Sequence, residues 1–261
     1  MDLGLDGRRA LVTGGTAGIG LETARRLAHA GASVAVVGRD ARRASATADE
    51  LRAVGAPVAL GLAHDVASAR AVEAAVATAA EELGGLDVLV NNVGVARQAS
   101  FADVTDEEWR ASFEVNLLSH VRAMRAALPH LRASDQARIV NVSSTSGKRP
   151  STGMPDYSVM KAALLSLSRL VADLYAGEGI RCNAVTPGPT ATDAWLGEGG
   201  LADQQGDREE VLAKVGAGRP LGRLAEPEEI AAVTAFLASE RASYVTGAAW
   251  SADGGTVPII V

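Results

Sequence analysis

Residues 9–20 read Arg9-Ala10-Leu11-Val12-Thr13-Gly14-Gly15-Thr16-Ala17-Gly18-Ile19-Gly20. A short apolar run passes through a glycine-rich turn into a helical pattern. Glycines at such a junction let the backbone approach a pyrophosphate, and the helix N-terminus supplies free amide donors with a favourable dipole. A plain tight turn would use the same residues, so the position directly after the first strand is what favours a nucleotide.

Outward from this turn, short β-rich runs alternate with longer helical patterns to the end of the chain. Strands are expected at Arg9 to Thr13, Ser33 to Gly38, Val58 to Leu62, Val88 to Asn91, Arg138 to Val142, Arg181 to Val185 and Ala248 to Ser251. Several are continuously apolar, as strands buried on both faces should be. Between them, helices from Gly18, Ala41 and Ser68 end at Gly31, Gly55 and Gly84, with Ser68 a candidate N-cap. Thr105 with Glu108 reads as a capping box for a segment running through Leu131, and Pro227 suits a first helical turn. The pattern predicts one doubly wound α/β domain, a parallel seven-stranded sheet covered by helices on both faces. Its nucleotide-binding half should cover about residues 1–150 and its catalytic and substrate half about 151–261. Residues 193–218, rich in glycine and mixed charge, break the rhythm and are expected to form a mobile lid.

Composition excludes other classes. Thirty-one acidic against 25 basic residues give a net charge of −6 in 261 residues, the wrong sign for a phosphate-backbone footprint. One cysteine, Cys182, rules out an internal disulfide, and the four histidines show no ligand spacing, so no metal site is expected. No apolar run approaches the roughly 18 residues of a membrane span, and no signal peptide is expected. A reducing cytoplasm fits. The arginine excess over only three lysines reads as genomic background.

The turn spacing is Gly-x3-Gly-x-Gly, and with it occur Asn91-Asn92-Val93-Gly94, Asn116, Ser143-Ser144, Tyr157-Ser158-Val159-Met160-Lys161, Pro187-Gly188 and Asp253-Gly254-Gly255. Across nearly its whole length the chain resembles the short-chain dehydrogenase/reductase family, with its Rossmann-type fold and strand order 3-2-1-4-5-6-7. Tyr157 and Lys161, four apart, share one face of a helix. A neighbouring ammonium favours the phenolate and lowers the tyrosine pKa, which suits acid or base work near neutrality. The resemblance implies that Tyr157 gives a proton to a carbonyl oxygen while a nicotinamide delivers hydride. It implies that Lys161 holds the nicotinamide ribose and tunes Tyr157, that Ser144 donates to the substrate oxygen, and that Asn116 holds a water linking Lys161 to solvent. Ser143 is left to satisfy a loop amide.

The resemblance further implies cofactor contacts at Gly14, Thr16, Ala17, Gly18, Ile19 and Gly20, at Asp65 and Val66 on the adenine, and at Asn92 and Gly94 along the adenosine ribose. Pro187, Gly188, Thr190 and Thr192 face the nicotinamide amide and diphosphate. The family's acidic position for NAD falls on Gly38, and Arg39 follows it, so NADP(H) is expected over NAD(H). Asp40 stands one residue too late to bind the ribose unless the loop shifts.

The expected substrate is a small carbonyl/alcohol pair, reduced as a ketone in the physiological direction. Met154, Trp195 and Leu196 suggest a fairly apolar molecule, and the carboxylates of residues 193–210 disfavour an anionic one. Where carrier-protein reductases of the family carry basic residues, Asp135 and Glu178 stand, although Arg132, Arg138, Lys148 and Arg149 lie near in sequence. Two alternatives remain open, an acyl-carrier-protein or polyketide ketoreductase and a non-catalytic NADP(H) sensor. The apolar tail from Thr256 to Val261 is expected to pack in the interface of a homotetramer or dimer.

Overall fold

The computed structural model describes residues 2–258, and among these seven parallel strands form one sheet in the order β3-β2-β1-β4-β5-β6-β7. The strands are β1 (Arg9–Thr13), β2 (Ser33–Gly38), β3 (Ala59–Ala63), β4 (Val88–Asn91), β5 (Arg138–Val142), β6 (Arg181–Pro187) and β7 (Ala249–Ala252). The order reverses between β1 and β4, and at such a switch point a crevice opens beyond the strand ends. The expected topology is therefore the observed one. β3 and β7 begin one residue later than expected and β6 runs two residues further, differences that fall at strand ends.

The helices are α1 (Gly18–His29), α2 (Ala41–Ala53), α3 (Ala69–Glu82), α4 (Asp106–Phe113), α5 (Ser119–Arg132), α6 (Thr145–Lys148), α7 (Pro155–Tyr175), α8 (Asp193–Leu196), α9 (Arg208–Ala217) and α10 (Pro227–Ala238). Leu27 of α1, Leu51 of α2 and Ile230 of α10 pack with Val12, Val34 and Val90 on one face. Val76 of α3, Met124 and Leu131 of α5 and Val171 of α7 pack with Leu11, Leu89 and Ile139 on the other. Alternate residues along the inner strands thus feed two separate cores, which is why β1, β2 and β4 are largely apolar, while the edge strands β3 and β7 are more exposed.

Gly31, Gly55 and Gly84 all have positive φ (84°, 124° and 73°) just after α1, α2 and α3, the left-handed conformation that ends a helix. Thr105 and Glu108 form the expected reciprocal capping box. Ser68 occupies the N-cap position of α3 but its side chain makes no cap hydrogen bond, and the neighbouring Asp65 carboxylate accepts from the Ala67 amide instead. The segment expected to run unbroken to Leu131 is interrupted between α4 and α5 by a π-turn, Glu114–Leu118. The irregular stretch expected over 193–218 contains α8 and α9. Of the tail expected to pack in a subunit interface, Val257 is buried within its own chain, Pro258 is exposed, and residues 259–261 lie outside the described residues.

At the amino ends of the strands, opposite the crevice, Asp87 is 1% exposed and accepts hydrogen bonds from Arg9 N–H (2.9 Å), Arg9 Nε (2.8 Å), Arg9 Nη2 (2.8 Å) and Ser134 Oγ (2.6 Å). Burial alone would push this carboxyl up, but the bonds from Arg9 and Ser134 and the Arg9 charge hold it below its ordinary value. A depressed folded-state pKa contributes stability above the unfolded-state value, lost as pH falls through the folded one. Asp87→Asn should cost about 3 kcal/mol near neutrality. Urea unfolding should show the gap from wild type closing below pH 4.

Candidate active site

The site is built from chain ends delivered by the sheet. β1 ends at Thr13, and Gly14, with φ of 62°, turns the chain into α1. A Cβ on Gly20 would lie 2.2 Å from the Gly14 carbonyl oxygen, so helix and turn close together only with glycine at that position. Asn92 secures the turn, its Nδ2 donating to the carbonyls of Gly14 (3.1 Å) and Thr13 (3.3 Å). Ala17, the N-cap of α1, gives no side-chain cap, so the first amides of that helix are left to what fills the cleft that Ala17, Gly18 and Ile19 line. Thr192 packs over this end, with its Cγ2 3.0 Å from where a Gly18 Cβ would stand. An uncapped helix N-terminus behind a glycine turn fits the diphosphate of a dinucleotide.

At the end of β2, a Cβ on Gly38 would lie 2.6 Å from Thr16 Cγ2 and Oγ1, so Thr16 fills the space an acidic side chain would need. Asp40 is engaged elsewhere, capping α2 by accepting from the Arg43 amide at 2.9 Å. Arg39 is exposed and, among the described residues, forms no ion pair. Asp65 is exposed in the loop after β3, whereas Val66 packs with the α3 core.

One cleft of about 840 Å³ opens beyond the ends of β4, β5 and β6. Of the residues expected at the site it is lined by Ala17, Gly18, Ile19, Asn92, Gly94, Ser144, Tyr157, Lys161, Pro187, Gly188, Thr190 and Thr192. Gly14, Thr16, Gly20, Arg39, Asp65, Val66 and Asn116 are not in its wall. The first three shape the turn, and Asn116 stands behind the wall as a support.

Tyr157 and Lys161 lie one turn apart on α7, with Lys161 Nζ 5.6 Å from the tyrosine ring centroid. Lys161 is 1% exposed, and its ammonium donates to Val142 O at 3.0 Å and toward Val93 O at 3.5 Å. Burial pulls its pKa down from 10.5 to about 7. Tyr157 moves the other way. Burial pushes it above its ordinary value and a hydrogen bond with Ser144 draws it partly back, so the expected lowering by the lysine is not what this structure shows. Desolvation opposes either charged form, and here it outweighs the attraction between them.

Ser144 Oγ accepts from the Ser146 amide at 3.0 Å as the N-cap of α6, which leaves its proton free to donate toward Tyr157 or a substrate oxygen. The loop-amide task expected of Ser143 therefore falls to Ser144. Ser143 instead donates to the Lys161 carbonyl at 2.8 Å and holds α7 against β5. Asn116, wholly buried, accepts from Val95 N–H (2.9 Å) and donates to Val95 O (3.0 Å) and Ser112 Oγ (3.2 Å). These bonds pin the loop after β4 so that Gly94 meets the lysine, with a Cβ there only 3.0 Å from Lys161 Nζ.

His120, one turn beyond Asn116, carried no signal in the sequence. It is 1% exposed, and burial followed by the Lys161 charge holds its pKa well below 6.5. Ser119 Oγ donates to Val115 O, so it can only accept from His120 Nδ1, and Nε2 is a buried acceptor with no partner among the described residues.

Around the mouth, Met154 and Trp195 line the cleft but Leu196 does not. Sequence reasoning missed Gln98, Arg149, Gln205, Val215 and Arg219 in the same wall, none of which stands in a motif. The carboxylates of 193–210 do not face inward as a group. Asp203 pairs with Arg208 at 2.6 Å, Asp207 caps α9, and only Asp193 reaches the wall, 3.7 Å from Arg43. Of the cations near the carrier-docking positions, Arg132 pairs with Glu178 at 2.6 Å, Arg138 is buried, and Lys148 donates to Ala249 O and Ser251 Oγ. Asp135 is itself paired with Arg8 at 2.6 Å.

Residues 14–257 match the family model described as enoyl-(acyl carrier protein) reductase. The chain is 42% identical to the cis-4-hydroxycyclohexanecarboxylate dehydrogenase of Sinomonas cyclohexanicum, over 95% of this chain and 96% of that one. It is 38% identical to the oxidoreductase YvrD of Bacillus subtilis, over 98% and 99%. Among solved structures it resembles the L-sorbose reductase of Gluconobacter frateurii, complexed with NADPH and L-sorbose, with a TM-score of 0.93, 34% identity and full coverage of both chains.

A prediction follows from the buried lysine. Because its folded pKa lies below the unfolded 10.5, the cost of burying the charge is fully present below about pH 7 and disappears as pH rises toward 10. Wild-type unfolding free energy should climb through that window, and Lys161→Met should flatten the climb in urea titrations at pH 7 and 9.5.

Proposed function

The chain belongs to the short-chain dehydrogenase/reductase family, and from that premise we propose that it is an NADP(H)-dependent ketoreductase acting on a small CH–OH/C=O pair. The observation that carries this reading is the convergence of Ser144, Tyr157 and Lys161 on one cleft that also receives the uncapped N-terminus of α1. The nicotinamide, when bound, supplies or accepts the hydride.

The chain's own residues handle the proton. A tyrosine whose pKa is raised stays protonated at neutral pH, so Tyr157 is suited to donate to a carbonyl oxygen. Ser144, its lone pair occupied by the Ser146 amide, donates a second hydrogen bond to that oxygen. Lys161, near 7, holds ribose hydroxyls and passes a proton back to Tyr157 after each turnover. Asn116 positions this lysine through Val95 and Gly94. Residues up to about 150 hold the cofactor, and the remainder, with α8 and α9 over the mouth, shape the substrate side.

NADP(H) is favoured over NAD(H) by three features taken together. Thr16 leaves no room for a carboxylate at Gly38, Asp40 is committed to capping α2, and Arg39 is free to grip a 2′-phosphate. The carrier-protein reading is disfavoured by the ion pairs that occupy Asp135, Glu178 and Arg132. Leu170 and Leu174, more than half exposed on α7, support a homo-oligomer, a tetramer or dimer, and the one buried cysteine suits a cytoplasmic setting.

Tyr157→Phe should lower kcat for a reducible ketone by a factor of about 10² to 10⁴ while fluorescence titration shows NADPH binding unchanged. Undiminished turnover would refute the assignment, and binding without turnover in the wild type would favour a sensor. Arg39→Ala should weaken NADPH binding about tenfold and leave NADH binding unaltered.

A further inference from the structure

Three cations and one carboxylate line the cleft: Arg149, Lys161 and Arg219 against Asp193. Lys161 belongs to the proton machinery, and Asp193 lies 3.7 Å from Arg43. Arg149 and Arg219 have no carboxylate partner among the described residues. The contrast within one segment is direct. Arg208 pairs with Asp203 and Arg223 with Glu229, both at 2.6 Å, whereas Arg219 between them pairs with nothing and its Nε is buried without a hydrogen-bond acceptor. Arg138 also has buried nitrogens without an acceptor, but of the two arginines only Arg219 lines the cleft, so its unsatisfied donor borders the space a ligand would fill. The same wall includes the apolar side chains of Trp195, Leu201, Val215 and Val257.

We propose that Arg219, assisted by Arg149, forms an anion subsite, and that the substrate is a ketone whose apolar body carries a carboxylate or sulfonate away from the reacting carbonyl. The inference deepens the ketoreductase reading and rests on it for the word substrate, but the subsite itself does not depend on turnover. A fixed guanidinium in a partly dry wall meets two acid oxygens with paired, charge-assisted bonds, while the apolar side chains enclose the body and set its distance from Tyr157. The acidic residues of 193–210 do not oppose this, because only Asp193 lines the cleft, Asp203 pairs with Arg208, Asp207 caps α9, and Glu198, Glu209 and Glu210 stand outside its wall.

Calorimetric titration of the full chain, with and without NADP⁺, would use two non-reacting probes of one shape, cyclohexanecarboxylate and cyclohexanecarboxamide. The carboxylate should bind more than about tenfold tighter, the preference should shrink with added salt, and Arg219→Gln should erase it while Arg219→Lys keeps part of it. Equal affinity for the two probes, binding of neither, or a preference that survives Arg219→Gln would overturn the subsite. Because no hydride moves in the titration, failure of the oxidoreductase assignment would show separately, as absent ketone turnover beside an intact carboxylate preference.

Discussion

Removing a lysine ammonium from water is costly unless backbone oxygens replace the water, and Lys161 is surrounded by parts arranged to do so. The ends of β4 and β5 bring the carbonyls of Val93 and Val142 to its Nζ. Gly94 must lack a side chain for the loop to pass the amine, and Gly147 must lack one because a Cβ would sit 2.7 Å from the Lys161 carbonyl oxygen. Ser143 ties that same carbonyl to β5, and Asn116 fixes the loop that carries Gly94. Residues distant in sequence thus answer to one charge, and the resulting pKa near 7 is where a group must sit to exchange protons in both directions under ordinary conditions.

The sheet was legible because both faces of its inner strands are buried and because glycines with positive φ end the first three helices, and both features write themselves into local composition. The glycine turn after β1 and the residues Ser144, Tyr157 and Lys161 that meet in one cleft stand in the sequence as spaced motifs. Other parts depend on contacts that no local pattern encodes. The swap of tasks between Ser143 and Ser144 follows from how α6 begins, and α9 carries too little amphipathic contrast to stand out among glycines and charges. Arg219 is one of many arginines in the sequence, and what distinguishes it is the combination of an unpartnered buried Nε with a place in the cleft wall, which exists only in space.

The acidic segment after Pro187 shows why charge counted along a chain misleads. Its carboxylates, taken as a sum, would repel an anion, yet Asp203 is consumed in a short ion pair, Asp207 in a helix cap, and the glutamates stand outside the cleft wall, where solvent screens them. What faces the cleft is set by the few groups left over. The same bookkeeping by partner separates Arg39 and Arg219 from their paired neighbours.

The π-turn at Glu114–Leu118 sets the phase of everything after it. Each residue of an α-helix advances the chain by about 100°. With the wider turn in place, Asn116 points to the loop after β4 while His120, Ala123, Met124 and Ala127 point to the sheet. Loss of one residue here would let the helix relax to a regular pitch, and then only one of these two faces could keep its direction. Substitutions along this helix can leave both faces in place, whereas an insertion or deletion at the turn must give up either the packing on the sheet or the support behind the cleft.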